Sequence, residues 1–284
     1  MIPRRSVKRV QAQRVRQAQA SRLEEVLAVE EPLEIRLAFG EAGRRVEQSI
    51  SITMRTPGDD FELTAGFLYS EGIIHGHDDI DRISYCLGPE KEKQEYNVVS
   101  AQLRPGVRFD PERLLRHFYA TSSCGVCGKA SLEALQVRGF PMLPRDRPTI
   151  AAEIVPRLAG RLRQAQPVFE KTGGLHAAAL FDAQGNLVSL REDVGRHNAV
   201  DKLVGERLLL NQVPLHDYCM MVSGRVGFEI VQKALVAAIP LVVAVGAPSS
   251  LAVELAREFG LTLLGFARGD GFNIYAGAQR VQFP

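Results

Sequence analysis

Two cysteines lie three positions apart near the middle of the chain, in the sequence Cys124-Gly-Val-Cys127-Gly-Lys129. The glycine after each cysteine leaves the sulfur without a bulky neighbour and permits positive φ angles, so the backbone can present or withdraw a thiol. Lys129 and a helix start just after it favour the thiolate through positive charge and the helix dipole. This spacing predicts a reactive thiol, and sulfur transfer or sulfur carriage is the leading chemistry.

Three other interpretations of the pair stay open at this point. A structural zinc site needs four ligands, but the sequence has no second Cys-x-x-Cys pair, and Cys86, Cys219 and the six histidines are scattered. A thioredoxin-like redox pair stands near the start of a βαβ unit, whereas this pair follows more than a hundred residues. A structural disulfide across so short a loop would gain little entropy, and the low cysteine content indicates a reducing compartment.

The composition is that of a soluble globular protein with enough chain for two domains. The chain has 284 residues, of which 45% are apolar and 24% are charged. It contains no apolar run of membrane-spanning length and no signal-peptide pattern, so we expect a cytoplasmic protein that does not contact membrane.

Positive charge is concentrated at the amino terminus. The net charge is +2, yet residues 1–22 contain seven basic residues and no acidic residue. We interpret residues 1–30 as a basic flexible tail, either disordered or a fraying helix, because the segment lacks an apolar face. Basic clusters interleaved with aromatic residues are absent from the sequence, so we do not expect nucleic acid as a partner.

Hydrophobic periodicity divides the remainder into three parts. Residues 31–118 are predicted to form an α+β amino-terminal domain, and residues 119–150 a cysteine loop with the interdomain connection. In residues 151–284 strands alternate with helices, which predicts a layered α/β sheet with parallel members. The amino-terminal elements are predicted at 33–37, 50–54, 59–70 with Asp59 as cap, 80–86 and 96–103. The carboxyl-terminal elements are predicted at 175–181, 187–190, 195–210, 219–222, 227–238, 241–245, 251–259 and 261–266.

Ligands of such sheets bind beyond the carboxyl ends of the strands, and this sequence places glycine and arginine there. Glycine permits close approach of a ligand, while arginine and the free N–H groups of helix starts favour phosphate. A phosphorylated, nucleotide-like ligand is therefore expected, although the sequence has no known phosphate-loop or dinucleotide motif. The turns concerned are 193–198, 223–227, 246–250 and 268–271.

Single residues in these turns have simpler interpretations that stay open. His197 could be structural or a helix cap, and His176 could be a strand residue in a tight position with a secondary chance of touching ligand. Asp193 could cap the helix that begins near residue 195. Lys202 could reach an anion or merely solvent.

Several motifs together resemble the FdhD family of formate dehydrogenase accessory sulfurtransferases, over roughly residues 30–280. The cysteine pair and the string from Glu192 to Lys202, Glu-Asp-Val-Gly-Arg-His-Asn-Ala-Val-Asp-Lys, are specific in combination. The other motifs are Gly173-Gly174-Leu175-His176, Ser223-Gly224-Arg225 and the terminal Arg268-Gly269 turn.

The resemblance implies a sulfur carrier. Cys124 would bear a persulfide taken from a cysteine desulfurase of the IscS type, with Cys127 assisting or resolving. The acceptor would be the bis-molybdopterin guanine dinucleotide cofactor, carrying molybdenum or tungsten, before its insertion into formate dehydrogenase. The family also implies a homodimer. A non-catalytic chaperone for the same cofactor and a zinc-binding regulatory module are the alternatives. The residues expected to bind the cofactor are Phe266, Ala267, Arg268, Gly269, Asp270, Gly271, Arg196, His197, Ser223, Gly224 and Arg225.

The family further implies a carboxyl-terminal domain similar to cytidine deaminase, with three layers. Zinc deaminases carry His-x-Glu at one helix start and Pro-Cys-x-x-Cys at the next. The corresponding helix starts here carry Arg196-His197-Asn198-Ala199 and Ser223-Gly224-Arg225, so the zinc ligands are missing. We therefore expect neither zinc nor deaminase chemistry.

Overall fold

The structure is a computed structural model that describes residues 6–41, 43–87, 95–107, 109 and 143–284. Both cysteines of the central pair lie outside these residues, as do the boundary near residue 118 and the helix expected near residue 131. The domain boundaries therefore stay predictions.

A four-stranded sheet and one helix are the main elements among the described residues between 31 and 107. The strand order is β4-β3-β6-β5, with β3 and β6 parallel and the other neighbours antiparallel. The predicted hairpin, helix and two further strands are confirmed. The elements are β3 (Glu31–Phe39), β4 (Val46–Arg55), α1 (Asp60–Ser70), β5 (Ile80–Tyr85) and β6 (Val98–Leu103).

One face of β4 differs from the expected alternation. Ile50 is buried, but the side chains of Ile52 and Met54 are 70% and 47% exposed. The pairing of β3 with β4 shifts by one residue at Ile35, which leaves an extra residue in β4. Because side chains alternate with period two, such a bulge moves the following residues to the opposite face.

The helix start at α1 also differs from the sequence-based expectation. Asp59 has a left-handed backbone (φ 54°) and its side chain makes no capping hydrogen bond. The next residue, Asp60, is buried and accepts two hydrogen bonds from the buried guanidinium of Arg55, at 2.9 and 3.0 Å. A buried ion pair thus takes part in fixing the start of this helix where a cap was predicted.

The expectation of a disordered or fraying helical tail is wrong for residues 7–28, which form an antiparallel hairpin. Strands β1 (Val7–Arg16) and β2 (Gln19–Ala28) pair along their whole length, and the two turn residues between them have positive φ. Arg9 pairs with Glu24 and Arg14 with Glu25, both at 3.0 Å. The basic residues therefore find carboxylates on a second strand, a contact that local composition does not reveal.

The carboxyl-terminal half contains a six-stranded mixed sheet of order β13-β12-β11-β10-β8-β9, with the predicted parallel members β10, β11 and β12. Its elements are β8 (His176–Phe181), β9 (Leu187–Asp193), α4 (Arg196–Leu209), β10 (Cys219–Val222), α5 (Phe228–Val236), β11 (Leu241–Ala244), α6 (Ser250–Glu258), β12 (Thr262–Arg268) and β13 (Gly271–Ala276). Before and after them come β7 (Ile150–Ala151), α2 (Val155–Gln164), α3 (Pro167–Thr172) and β14 (Val281–Gln282).

Helices cover both faces of this sheet. Apolar residues of α4, α5 and α6 pack on one face, and those of α2 pack on the other. Strands such as β10 and β11 are consequently buried along their whole length, which explains their continuous apolar sequences. The arrangement has helix, sheet and helix layers; likeness to cytidine deaminase in particular stays a prediction.

The two halves share one hydrophobic core through the crossing of α1 and α4. An ideal Cβ atom on Gly66 would lie 1.9 Å from the carbonyl oxygen of Asp201, and one on Gly205 would lie 1.8 Å from that of Glu62. The helix backbones therefore touch, and only glycine fits at these two positions.

Candidate functional site

The turns predicted to bind a ligand meet at one edge of the six-stranded sheet. Strands β10, β11 and β12 are parallel, so their carboxyl ends point in the same direction. Strand β8 runs antiparallel to β10, which places its first residue, His176, at this edge, paired with Asp193 at the end of β9. We refer to this edge as the turn edge; it consists of residues 193–197, 223–227, 246–250 and 266–271.

Backbone hydrogen bonds join neighbouring turns of the turn edge. The amide of Gly246 donates to the carbonyl of Gly224 at 3.1 Å, and the amide of Phe266 donates to the carbonyl of Gly246 at 3.1 Å. An ideal Cβ atom on Gly246 would lie 3.1 Å from the Gly224 oxygen, so a larger residue would crowd this junction. Three turns thus form one continuous rim.

Three arginines on this rim are exposed: Arg196, Arg225 and Arg268. None of them has a carboxylate within ion-pair distance among the residues that the structure describes. The guanidinium of Arg268 lies 5.7 Å from the centre of the Phe266 ring. Exposed guanidinium groups without acidic partners, beside glycine turns, are suited to bind phosphate groups.

The turn from Phe266 to Gly271 contains local backbone strain. Phe266 has φ 52°, and the pairing of β12 with β13 is irregular between Gly265 and Arg268. Non-glycine residues with positive φ inside a strand bulge are uncommon and concentrate at functional sites. Gly269 and Asp270 form the exposed tip between the two strands, and Ala267 is buried beneath them.

Two histidines lie at the edge in different environments. His197 Nε2 lies 2.7 Å from Glu229 Oε2, and this contact holds the pKa of Glu229 below its ordinary value. Burial lowers the pKa of His176, and the nearby Arg196 guanidinium lowers it further. This environment favours the neutral imidazole of His176. Its ring packs against Gly224, whose ideal Cβ would lie 3.2 Å from Nδ1.

Ser223 has a structural partner as well as a position on the rim. The residue is half-buried; its hydroxyl oxygen accepts a hydrogen bond from the amide of Ala177 at 2.9 Å, and its own amide donates to the Ala177 carbonyl. The hydroxyl proton remains available to donate to a ligand.

Most of the string from Glu192 to Lys202 is structural. Lys202 is buried; its ammonium nitrogen lies 2.8 Å from the carboxylate of Asp193 and donates to the carbonyl of Thr56. The expectation that Lys202 reaches an anion or solvent is therefore wrong. Asp193 also accepts from the amide of Gly195 at 2.8 Å, in place of the predicted helix cap.

Three other members of the string fasten neighbouring elements. Glu192 accepts hydrogen bonds from the first amides of α3, those of Val168 and Phe169. Asn198 donates to the carbonyl of Met54, and Asp201 pairs with Lys233 at 2.7 Å. Of the string, Arg196 and His197 are the side chains that remain for ligand at the turn edge.

Two of the four cysteines lie within the described residues. Cys219 is buried in β10, and burial raises the pKa of its thiol far above the ordinary value. Cys86 is half-buried, and its thiol pKa is also raised, chiefly by burial and next by the nearby Glu47 carboxylate. Neither environment favours the thiolate needed for attack on sulfur. The predicted catalytic residues, Cys124 and Cys127, are outside the described residues.

Beside the turn edge a cleft of about 500 Å³ opens between α2, α3 and the start of β8. Its lining includes His176 and Ser223 from the edge. Arg163 from α2, Phe169 from α3 and Gln166 between these two helices complete the polar and aromatic part of the lining. Arg163, Gln166 and Phe169 were not predicted from the sequence, because no motif links them to the turns. The available signal was only Gly173-Gly174, which precedes His176.

Neither a metal cluster nor a membrane span is found in the described parts of the chain. No three His, Cys, Asp or Glu side chains there are grouped as metal ligands would be. None of the helices in those parts is long and apolar enough to cross a membrane.

Comparisons with known proteins agree with this architecture. The chain is 51% identical over 270 residues to the sulfur carrier protein FdhD of Streptomyces coelicolor, which covers 94% of this chain and 93% of the relative. It is 44% identical over 277 residues to the sulfur carrier protein FdhD of Saccharolobus solfataricus, which covers 97% of this chain and 98% of the relative. The crystal structure of a formate dehydrogenase accessory protein from Desulfotalea psychrophila is similar to this chain, with a TM-score of 0.73 and 24% sequence identity. The match covers 98% of this chain and all of that one, and at this identity it shows the fold alone.

The family model described as FdhD/NarQ matches residues 28–282, from the end of the amino-terminal hairpin to the last strand. The match includes the four-stranded sheet, the cysteine pair and the whole turn edge. The chain therefore belongs to the FdhD/NarQ family.

Proposed function

We propose that this protein is a sulfur carrier. It accepts sulfur from a cysteine desulfurase as a persulfide on Cys124 and passes it to bis-molybdopterin guanine dinucleotide, the cofactor destined for formate dehydrogenase. The observation that carries the cofactor half of the proposal is the turn edge, where Arg196, Arg225 and Arg268 surround glycine turns without carboxylate partners among the described residues. The names of the relatives support the sulfur half.

Uptake of sulfur by this route balances without an added oxidant. The Cys124 thiolate attacks the outer sulfur of the donor persulfide, a new S–S bond forms at Cys124, and the bond to the donor breaks. The donor cysteine leaves as a thiolate, so one sulfur atom moves and no net oxidation occurs. The thiols of Cys86 and Cys219 are poorly suited to the step, because burial raises the pKa of each.

The cofactor would lie along the turn edge. The rim offers the guanidinium groups and the backbone amides of three glycine-containing turns to the diphosphate. Asp270 at the exposed tip offers carboxylate oxygens to N–H or hydroxyl groups of a base or ribose. The IscS-type donor and the homodimer are further parts of this proposal that rest on the family resemblance. The cytoplasmic location is also proposed, and it rests on the low cysteine content, which indicates a reducing compartment.

The substitution Cys124→Ala tests the sulfur half. After incubation with desulfurase and cysteine, we expect the unmodified chain to gain the mass of one sulfur atom and Cys124→Ala to gain none. Cys86→Ala is the matched control and should gain sulfur like the unmodified chain. A full-yield sulfur adduct in Cys124→Ala would rule out this residue as the carrier.

The same variant separates the carrier from the chaperone alternative. A protein that only binds the cofactor and delivers it needs the turn edge but not the thiol. Cys124→Ala should therefore fail to activate apo formate dehydrogenase if sulfur transfer is required. Retained activation would favour the chaperone.

Removing the three arginines of the turn edge together should weaken binding of guanosine diphosphate. Each charge-assisted hydrogen bond contributes about 1.5–3 kcal/mol before solvent screening, so the triple alanine variant should bind at least about tenfold more weakly. Calorimetric titration of the full chain measures this. Arg44→Ala, an exposed arginine in the β3–β4 turn, is the control and should bind like the unmodified chain. Equal binding by the triple variant would contradict the assignment of the phosphate site.

A further inference from the structure

A buried amide in the cleft beside the turn edge lacks a hydrogen-bond partner. Gln166 is only 3% exposed, and its nitrogen Nε2 has no acceptor among the residues that the structure describes. A buried donor without a partner costs about 1–3 kcal/mol, so such groups call for an explanation. Gln166 precedes α3 and lines the cleft.

The start of α3 is held by contacts other than the Gln166 side chain. The first amides of α3, Val168 and Phe169, donate to the carboxylate of Glu192 at 3.0 and 2.8 Å. The Gln166 side chain makes no capping bond to this helix. Its carboxamide is therefore not used to start the helix that follows it.

The remaining lining of the cleft suits a flat ring. The guanidinium of Arg163 lies over the Phe169 ring, 4.3 Å from the ring centre, so these two side chains together form one wall of the cleft. Leu162 and Val245 add apolar surface. His176 contributes an imidazole, and burial together with the nearby Arg196 lowers its pKa, which favours the neutral form. Apolar and aromatic walls with a few polar groups are typical of sites for small planar ligands.

The cleft also leads directly to the phosphate-binding part of the turn edge. His176 and Ser223 line it, and the ring of His176 packs on Gly224, the residue before Arg225. A molecule with a ring in the cleft would thus have its anionic end beside exposed guanidinium groups. The geometry matches a ligand that joins a heterocycle to phosphate.

We infer that this cleft binds a planar nitrogen heterocycle whose edge presents a ring acceptor beside an N–H donor. The Gln166 carboxamide is its hydrogen-bonding partner, and the pair formed by Phe169 and Arg163 is the surface on which the ring stacks. A carboxamide is complementary to such an edge because it offers a donor and an acceptor side by side. Guanine and pterin share this chemistry. The inference rests on the proposed function in one respect. The cofactor of that proposal contains both rings, and we take it as the ligand that brings one of them to the cleft.

Calorimetric titrations of the full chain test the inference with three probes: guanosine diphosphate, a free pterin and inorganic pyrophosphate. Gln166→Leu should weaken binding of the ring probe that occupies the cleft by about tenfold, the equivalent of one buried hydrogen bond. Binding of pyrophosphate should be unchanged. Whichever ring probe loses affinity identifies the ring in the cleft. Gln164→Leu, an exposed glutamine two positions earlier, is the control and should bind all three normally.

Two further measurements separate ligand binding from a structural role. Since its nitrogen has no partner in the described structure, Gln166→Leu should keep or raise the melting temperature of the ligand-free protein. Phe169→Leu should also weaken binding of the ring probe without changing the binding of pyrophosphate. The inference is overturned if neither ring probe binds better than pyrophosphate, or if Gln166→Leu and Phe169→Leu bind them normally. Sulfur uptake on Cys124 is measured separately and should be unchanged in both variants, so failure here is distinct from failure of the proposed function.

Discussion

The substitution Gly205→Ala is expected to lower the free energy of unfolding by more than about 3 kcal/mol, beyond the usual range for an overpacked core. An ideal Cβ atom there would lie 1.8 Å from the carbonyl oxygen of Glu62 and 2.7 Å from the amide nitrogen of Gly66. Both are backbone atoms of α1, so no side-chain rotation relieves the clash. The two helices would have to separate, and the core shared by the two halves would open.

Urea unfolding followed by circular dichroism measures this loss. Gly160→Ala is the matched control, because Gly160 is an exposed residue inside α2 with no heavy atom within 4 Å of its ideal Cβ. Alanine there should stabilise the protein by roughly 0.5–1 kcal/mol through helix propensity. If Gly205→Ala were as stable as Gly160→Ala, the close crossing of α1 and α4 would be refuted.

The substitution Lys202→Met is expected to cost about 3–5 kcal/mol of stability, because it leaves the buried carboxylate of Asp193 without its counter-charge. The two side chains are 1% and 0% exposed, and nitrogen and oxygen lie 2.8 Å apart. Lys202 also donates to the Thr56 carbonyl, which joins α4 to the segment between β4 and α1. Its removal should therefore loosen the contact between the two halves of the chain.

A double variant and a surface pair make this prediction specific. Adding Asp193→Asn to Lys202→Met should recover part of the loss, since no buried charge remains and the amide keeps an oxygen for the Gly195 amide. Arg9→Met breaks an exposed pair of similar length and should change stability by no more than about 1 kcal/mol. A double variant less stable than Lys202→Met alone would show that the charge pair is not the source of the effect.

The buried ion pair and the helix crossing both belong to the framework that holds the turn edge in place. Helix α4 begins with Arg196 and His197 and is fixed by the Lys202–Asp193 pair and by the crossing at Gly205. The string from Glu192 to Lys202 therefore combines two roles. Five of its polar side chains hold neighbouring elements in place, and two remain at the edge for ligand.

Local sequence was sufficient for most elements of the carboxyl-terminal half. Strands such as Leu241–Ala244 are short, continuously apolar and bounded by glycine or proline, so their type and position follow from their own residues. Because parallel strands direct their carboxyl ends to one edge, the order of strands and helices also predicted that the glycine turns would meet. The cysteine spacing predicted a reactive thiol by the same kind of local argument.

Contacts between distant residues were decided by the tertiary structure alone. The hairpin of residues 7–28, the bulge in β4 and the burial of Lys202 each depend on a partner elsewhere in the chain, which periodicity does not encode. The cleft joins Gln166 to His176, Ser223 and Val245, and no spacing in the sequence connects them. The sequence by itself thus determined which groups could react or bind, through residue type and local spacing. Burial and long-range pairing decided which of those groups are free to do so, because both depend on how separate elements pack.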